Sequence, residues 1–126
     1  MSSILLPEPN PEIIARRDAI IADLISIVGA EAVVSDEDGR RAFETDGLTA
    51  YRKMPLAVVL PQSTEEVSAV LRYCHRNGIK VVARGAGTSL CGGALPAEDS
   101  IVVGVSKMNK VLEIDYENRV AVVQTG

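Results

Sequence analysis

The chain contains no tryptophan, one phenylalanine, three tyrosines and a single histidine in 126 residues. So few aromatic faces exclude a base-stacking platform for single-stranded nucleic acid. Cys74 and Cys91 are too few for a disulfide framework, and with His75 as the lone imidazole they cannot complete a Cys/His zinc site. Both are expected as reduced thiols in a cytoplasmic protein. No run approaches the roughly 18 apolar residues that a membrane span needs. The first residues, Met1 to Pro7, lack a basic region and a long apolar stretch, so no signal peptide is expected. Excess positive charge is missing too: the formal charge is −4, which argues against a general binder of polyanions.

What is present is a globular balance, 47% hydrophobic and 24% charged, in a length suited to one domain. The charge is uneven. Residues 1–50 carry 4 basic and 10 acidic side chains, whereas residues 51–126 carry 9 and 7. An anionic ligand is better received by the second part, with ordinary surface variation as the bland alternative. Separately, the pattern of elements divides the chain into a helical lead-in, residues 1–54, and a main part, residues 55–126.

In the lead-in, Ile14, Ile21, Leu24, Ile25 and Val28 share one face of a helix over residues 12–28, and Gly29 stops it. A short helix is expected around residues 37–43, followed by a loop to Pro55. The main part opens with an apolar strand, Leu56–Leu60, closed by Pro61. Ser63 and Glu66 then form a capping box, each side chain expected to bond the other's amide. Val67, Val70, Leu71 and Cys74 give the apolar face of the helix that follows, and Gly78 ends it. A second apolar strand, Ile79–Ala83, completes a strand–helix–strand unit whose strands should run parallel, through a right-handed connection. Further strands are expected at Ile101–Val105, Val111–Ile114 and Val120–Gln124, the last two joined by a hairpin turn at residues 115–118. A domain seldom stops directly after a strand, so the sequence reads as a fragment of a longer protein.

The chemistry lies in Arg84-Gly85-Ala86-Gly87-Thr88-Ser89-Leu90-Cys91-Gly92-Gly93-Ala94-Leu95-Pro96. This string leaves the end of the second parallel strand, where α/β folds place ligand crevices. Its glycines remove side chains that would keep a ligand off the backbone. Residues 85–93 include no proline, so they offer nine amide N–H groups, and Thr88 and Ser89 add hydroxyls. Clusters of such amides bind phosphate oxygens. At roughly 1.5–3 kcal/mol for each bond to a charged acceptor, a few suffice to hold a diphosphate. The dinucleotide fingerprint fails because position 90 is leucine, and a Walker A loop fails because Gly93 stands where lysine is needed. A flexible turn without a ligand is the alternative.

Together with Pro61 and the upstream Phe43-Glu44-Thr45-Asp46-Gly47-Leu48-Thr49-Ala50-Tyr51, this string resembles the FAD-binding segment of the vanillyl-alcohol oxidase/p-cresol methylhydroxylase family. Within that family it is similar to the branch containing glycolate oxidase and D-lactate dehydrogenase. The resemblance runs from about residue 10 to the end. It implies an α+β FAD-binding domain, of which the chain holds the first subdomain and the start of the second. It also implies a loop that grips the FAD diphosphate through Arg84, Gly85, Ala86, Gly87, Thr88 and Ser89, closed by Gly92 and Gly93. Pro61 is expected near the cofactor, and Thr125 and Gly126 resemble a later FAD-contacting turn. Some relatives attach FAD through a histidine in this loop; Thr88 occupies that position, so non-covalent binding is expected.

The implied activity is oxidation of a 2-hydroxy acid to the 2-oxo acid. The substrate groups and the catalytic base are expected outside these residues, so none of them is assigned a catalytic role. Partner subunits, an iron–sulfur one among them, and attachment to the inner membrane through such partners also follow from the resemblance. A phosphate- or nucleotide-binding module without redox chemistry is the competing reading. His75 reads as an exposed helix histidine and Cys91 as a small spacer. Arg84 either faces the diphosphate or pairs at a strand end. Asp46 and Tyr51 either order the entry loop or line a site, with the structural use favoured.

Overall fold

The structure is a computed structural model that describes residues 5–126; the reading of Met1–Ile4 as free of a signal sequence lies outside the described residues. Helices α1 (Pro11–Ala15) and α2 (Arg17–Val28) lead through a 3-10 turn (Ala30–Ala32) to strand β1 (Val33–Val34) and helix α3 (Glu37–Arg41). Then come β2 (Ala57–Val59), α4 (Thr64–Arg76), β3 (Lys80–Arg84), β4 (Ser100–Gly104), β5 (Val111–Asp115) and β6 (Val120–Val123). No described helix is long and apolar enough to cross a membrane.

The four-stranded sheet has the order β1-β2-β4-β3. Strands β2, β4 and β3 are parallel, as their unbroken apolar runs require, and β1 pairs antiparallel with β2. The strand–helix–strand unit is present, but β4 lies between its two strands, so β2 and β3 are not neighbours. Ala57–Val59 and Ser100–Gly104 are buried throughout because they occupy the middle of the sheet, whereas Lys80 and Ala83 on the outer strand β3 are exposed. Strand β1 was not foreseen: two residues are too short to show an alternating pattern.

One face of the sheet carries Ala57, Val59, Ile101 and Val103, which join Ile20, Leu24, Val70 and Cys74 of α2 and α4 in a single core. The lead-in packs as expected at Leu24, Ile21 and Val28, but Ile13 and Ile20 are buried while the expected Ile14 and Ile25 are 39% and 37% exposed. The pairs Ile13-Ile14 and Ile20-Ile21 offer an isoleucine in either register, and the helix is interrupted at Arg16. Packing against α4 therefore decides which member of each pair goes inward. Tyr73 of α4 donates its hydroxyl to the Asp23 carboxylate of α2 at 2.7 Å, at the rim of this contact. On α4, likewise, Val70 and Cys74 are buried but Leu71 is exposed.

The helix ends follow the sequence closely. Ser63 Oγ accepts from the Glu66 amide at 3.2 Å. Glu66 reaches one residue further back than a capping box requires and accepts from the Gln62 amide at 2.7 Å. The hairpin β5–β6 forms as expected, its turn held by the Asp115 carboxylate, which accepts from the Asn118 amide and side chain. Its apolar residues, among them Val111, Leu112, Val122 and Val123, are exposed.

The phase of α2 is testable. Replacing a fully buried isoleucine by alanine costs about 2–5 kcal/mol. Ile20→Ala should lower the unfolding free energy from urea titration by an amount in that range, whereas Ile25→Ala should cost less than about 1 kcal/mol. Equal losses, or a larger one for Ile25→Ala, would contradict the observed packing.

Candidate functional site

Strands β3 and β4 are adjacent and parallel, yet residues 85–99 that connect them contain no helix or strand. The glycine-rich string is therefore neither a tight turn nor a helix N-terminus. It is the crossover that carries the chain from the C-terminal end of β3 back to the start of β4, a task usually given to a helix. Fixing each residue of such a segment costs about 1–2 kcal/mol, and more for glycine, so its order must come from ties to the rest of the protein.

Those ties converge on residues 43–48. The Asp46 carboxylate, 6% exposed, accepts from two amides: Leu48 at 2.9 Å and Gly92 at 2.8 Å. The Gly47 amide donates to the Ser89 carbonyl at 2.7 Å. A Cβ on Gly47 would stand 2.8 Å from the Thr88 carbonyl oxygen, so only glycine permits this approach. Arg84 donates to the Thr45 carbonyl at 2.6 Å and lies 5.3 Å from the Phe43 ring centre. Gly87, at φ 73°, passes so close to that guanidinium that a Cβ would collide with it. Within the loop, Ser89 Oγ accepts from the Gly93 amide at 3.3 Å and the Cys91 amide at 3.4 Å.

These bonds divide the nine amides into two groups. Those of Cys91, Gly92 and Gly93 already donate within the protein. Those of Gly85, Ala86, Gly87, Thr88, Ser89 and Leu90 meet no acceptor among the described residues. Gly85, Ala86, Thr88 and Leu90 are exposed. At Gly85 the space that a Cβ would fill is open among the described residues, so the backbone there is accessible to a ligand oxygen. A run of free main-chain donors beside an open cradle, at the C-terminal end of a parallel strand, suits the oxygens of a diphosphate.

The Arg84 guanidinium donates to the Thr45 carbonyl and lies against Phe43, and the ion pair at the strand end is absent among the described residues. Pro61 follows β2 and is buried. Thr125 and Gly126 return to the same edge of the sheet. The Gly126 amide donates to the Met108 carbonyl at 2.7 Å, and the neighbouring Gln124 side chain reaches the Gln62 carbonyl at 3.4 Å. The Val105 amide in turn donates to the Arg84 carbonyl at 3.1 Å. The structure thus gathers Pro61, the loop and the Thr125-Gly126 segment at the C-terminal ends of the parallel strands.

The remaining candidates are quiet. His75 is exposed on α4, and no cluster of metal-ligating side chains occurs among the described residues. Cys91 is exposed; Cys74 is buried in the core, which pushes its thiol pKa up to about 11. Tyr51 lines a cleft of about 270 Å³ with Leu48 and Leu90. A larger cleft, about 490 Å³, lies against β3 and meets the glycine string only at Gly92, Leu95 and Pro96, away from the free amides.

The far end of the crossover is pinned by Asp99, which is 1% exposed. Its Oδ2 accepts from the Asn10 amide at 2.9 Å and from Lys80 Nζ at 2.8 Å. Burial alone would raise the pKa of this carboxyl. The hydrogen bonds from Lys80 and Asn10, with the lysine charge, outweigh burial and hold it below the usual carboxylate range.

A family model described as FAD binding domain matches residues 55–126. Glycolate oxidase subunit GlcD of Escherichia coli (strain K12) is 42% identical over 111 residues, 88% of this chain and 22% of that protein. D-lactate dehydrogenase of Archaeoglobus fulgidus is 43% identical over 95 residues, 75% of this chain and 21% of that protein. Among solved structures, p-cresol methylhydroxylase with substrate bound aligns at a TM-score of 0.69 and 19% identity, over 90% of this chain and 22% of that one. The chain spans about a fifth of the length of the curated relatives it matches.

The Asp99 anchor sets a pH dependence. A carboxyl with a lowered folded-state pKa contributes stability above its unfolded value, about 3.9, and loses it as pH falls through the folded-state value. Urea midpoints measured from about pH 6 down to about pH 2 should therefore fall less steeply for Asp99→Asn than for the wild type. Parallel acid limbs in the two proteins would contradict the anchor.

Proposed function

The chain belongs to the FAD-binding domain family, and from that premise we propose that it is the cofactor-holding N-terminal part of an oxidoreductase that converts a 2-hydroxy acid to the 2-oxo acid. Its fold is the α+β arrangement of the vanillyl-alcohol oxidase/p-cresol methylhydroxylase type expected from the sequence. The observation that carries the proposal is the run of unpaired amides from Gly85 to Leu90, held in a braced crossover.

In this reading the main chain of Gly85, Ala86, Gly87, Thr88 and Ser89 receives the diphosphate oxygens. Arg84 acts beneath the loop, fixing its path through Thr45 and Phe43. Gly92 and Gly93 close the loop with amides that are already committed, and add bare backbone where bulk would obstruct. Pro61 and the Thr125-Gly126 segment form the neighbouring wall. FAD, once bound, supplies the two-electron acceptor for the oxidation; binding and orienting it is the work of these residues. Thr88 offers no nucleophilic nitrogen, so the cofactor is held without a covalent bond.

Glycolate and D-lactate are the proposed substrates, on the strength of the two relatives' names. The groups that bind them, and the base that takes the hydroxyl proton, belong to chain outside these residues. A relative named as a subunit supports partner subunits; an iron–sulfur subunit among them is part of the reading on the sequence resemblance alone. A cytoplasmic enzyme held at the inner membrane by those partners completes the reading.

Full-length protein should purify with a visible flavin spectrum, and acid precipitation should release the flavin into the supernatant. Flavin that stays with the pellet would contradict non-covalent binding, and nucleotide without flavin would favour a binding module. The 126-residue chain alone should bind FAD weakly and turn over neither glycolate nor D-lactate. Unaided turnover by it would place the base among residues that show none.

A further inference from the structure

We propose that Asp46 and Gly47 are positioning residues for the cofactor. They hold the crossover so that its unpaired amides are set for the diphosphate before it arrives. The inference rests on the reading that FAD binds there and extends it to residues that touch no ligand.

Asp46 is an unexpected neighbour for an anion site, because its carboxylate sits one hydrogen bond from Gly92, at the closing end of the same loop. Coulomb's law makes a negative charge there unfavourable to a diphosphate. Its geometry supplies the compensation. Each carboxylate oxygen takes one amide, Leu48 on Oδ1 and Gly92 on Oδ2, so one side chain ties two strands of irregular backbone. Gly47 presses its backbone against the Thr88 and Ser89 carbonyls. The carbonyls of residues 88 and 89 are thereby turned toward residue 47. The amides of Gly85 through Leu90 find no acceptor among the described residues, and the adjoining space at Gly85 is open. Arranging donors in advance removes an ordering cost that the ligand would otherwise meet.

The two effects of Asp46 have opposite signs, which makes the proposal testable. Asp46→Asn removes the charge but leaves one acceptor oxygen, and turns an NH2 group toward one of the two amides. If only charge matters, the variant binds a diphosphate more tightly. If positioning dominates, it binds more weakly, by about tenfold or more for a lost bond to a charged acceptor. Gly47→Ala changes no charge; its Cβ would stand 2.8 Å from the Thr88 carbonyl oxygen and 3.0 Å from that of Ser89, so the loop must shift.

The experiment titrates flavin-stripped full-length protein with FAD and, separately, with ADP, which shares the diphosphate but not the flavin ring. Thermal melts of the ligand-free proteins report folding. The proposal expects both variants to weaken FAD and ADP by the same factor while melting close to the wild type. Unchanged or tighter binding by either well-folded variant overturns it, as does a loss confined to FAD. If Asp46→Asn melts far below the wild type, Gly47→Ala decides by the same criteria; if that variant also fails to fold, the role is structural and the proposal falls. Wild-type protein that takes up no FAD would overturn the functional reading and the brace together. Wild-type uptake beside unaltered variants overturns the brace alone.

Discussion

A parallel crossover built without a helix is the constraint around which the molecule is arranged. A helical crossover satisfies its own backbone; residues 85–99 cannot, and must borrow acceptors from elsewhere. The Asp46 carboxylate, the Ser89 hydroxyl and the carbonyls near residue 45 supply order to selected points and leave the stretch between them unpaired. The same economy that makes the loop hard to fold leaves its donors available. Structure and ligand chemistry are thus consequences of one omission in the topology.

The sheet makes that omission tolerable. Strands β2 and β4 are buried on both faces, and β3 pairs along its whole length with β4, so the two ends of the crossover are fixed by the ladder. Asp99, beneath the start of β4, binds Lys80 at the start of β3 and the backbone at Asn10. Arg84, at the other end of β3, lies against the Phe43 ring and close to the Gly87 backbone. Arg84 thereby helps to hold the main chain beside the loop. The neutral amides proposed for the diphosphate suit it through number and direction.

Much of this was legible in the sequence where the signal is local. Ser63 and Glu66 marked the start of α4, Gly29 and Gly78 marked helix ends, and the apolar runs marked the parallel strands. The phase of α2 was not legible, because paired isoleucines fit two registers and only packing chooses between them. The insertion of β4 between β2 and β3 was hidden because strand order depends on contacts distant in sequence. Asp46 could be read as an ordering residue, but its partner Gly92 lies 46 positions away and no spacing rule connects them. Which amides of the glycine string remain free depended on that partner, so the site's boundary was beyond sequence reasoning even though the string was not.

The central claim is that FAD is held by the amides of Gly85 through Leu90 and not by those of Cys91 through Gly93. Residue-resolved hydrogen–deuterium exchange across this loop, in full-length protein with and without FAD, tests it most directly. The account predicts that the first set exchanges quickly in the flavin-free protein and slows on binding, while Gly92, already bonded to Asp46, is slow in both. Saturating FAD that leaves the exchange of residues 85–90 unchanged would contradict it.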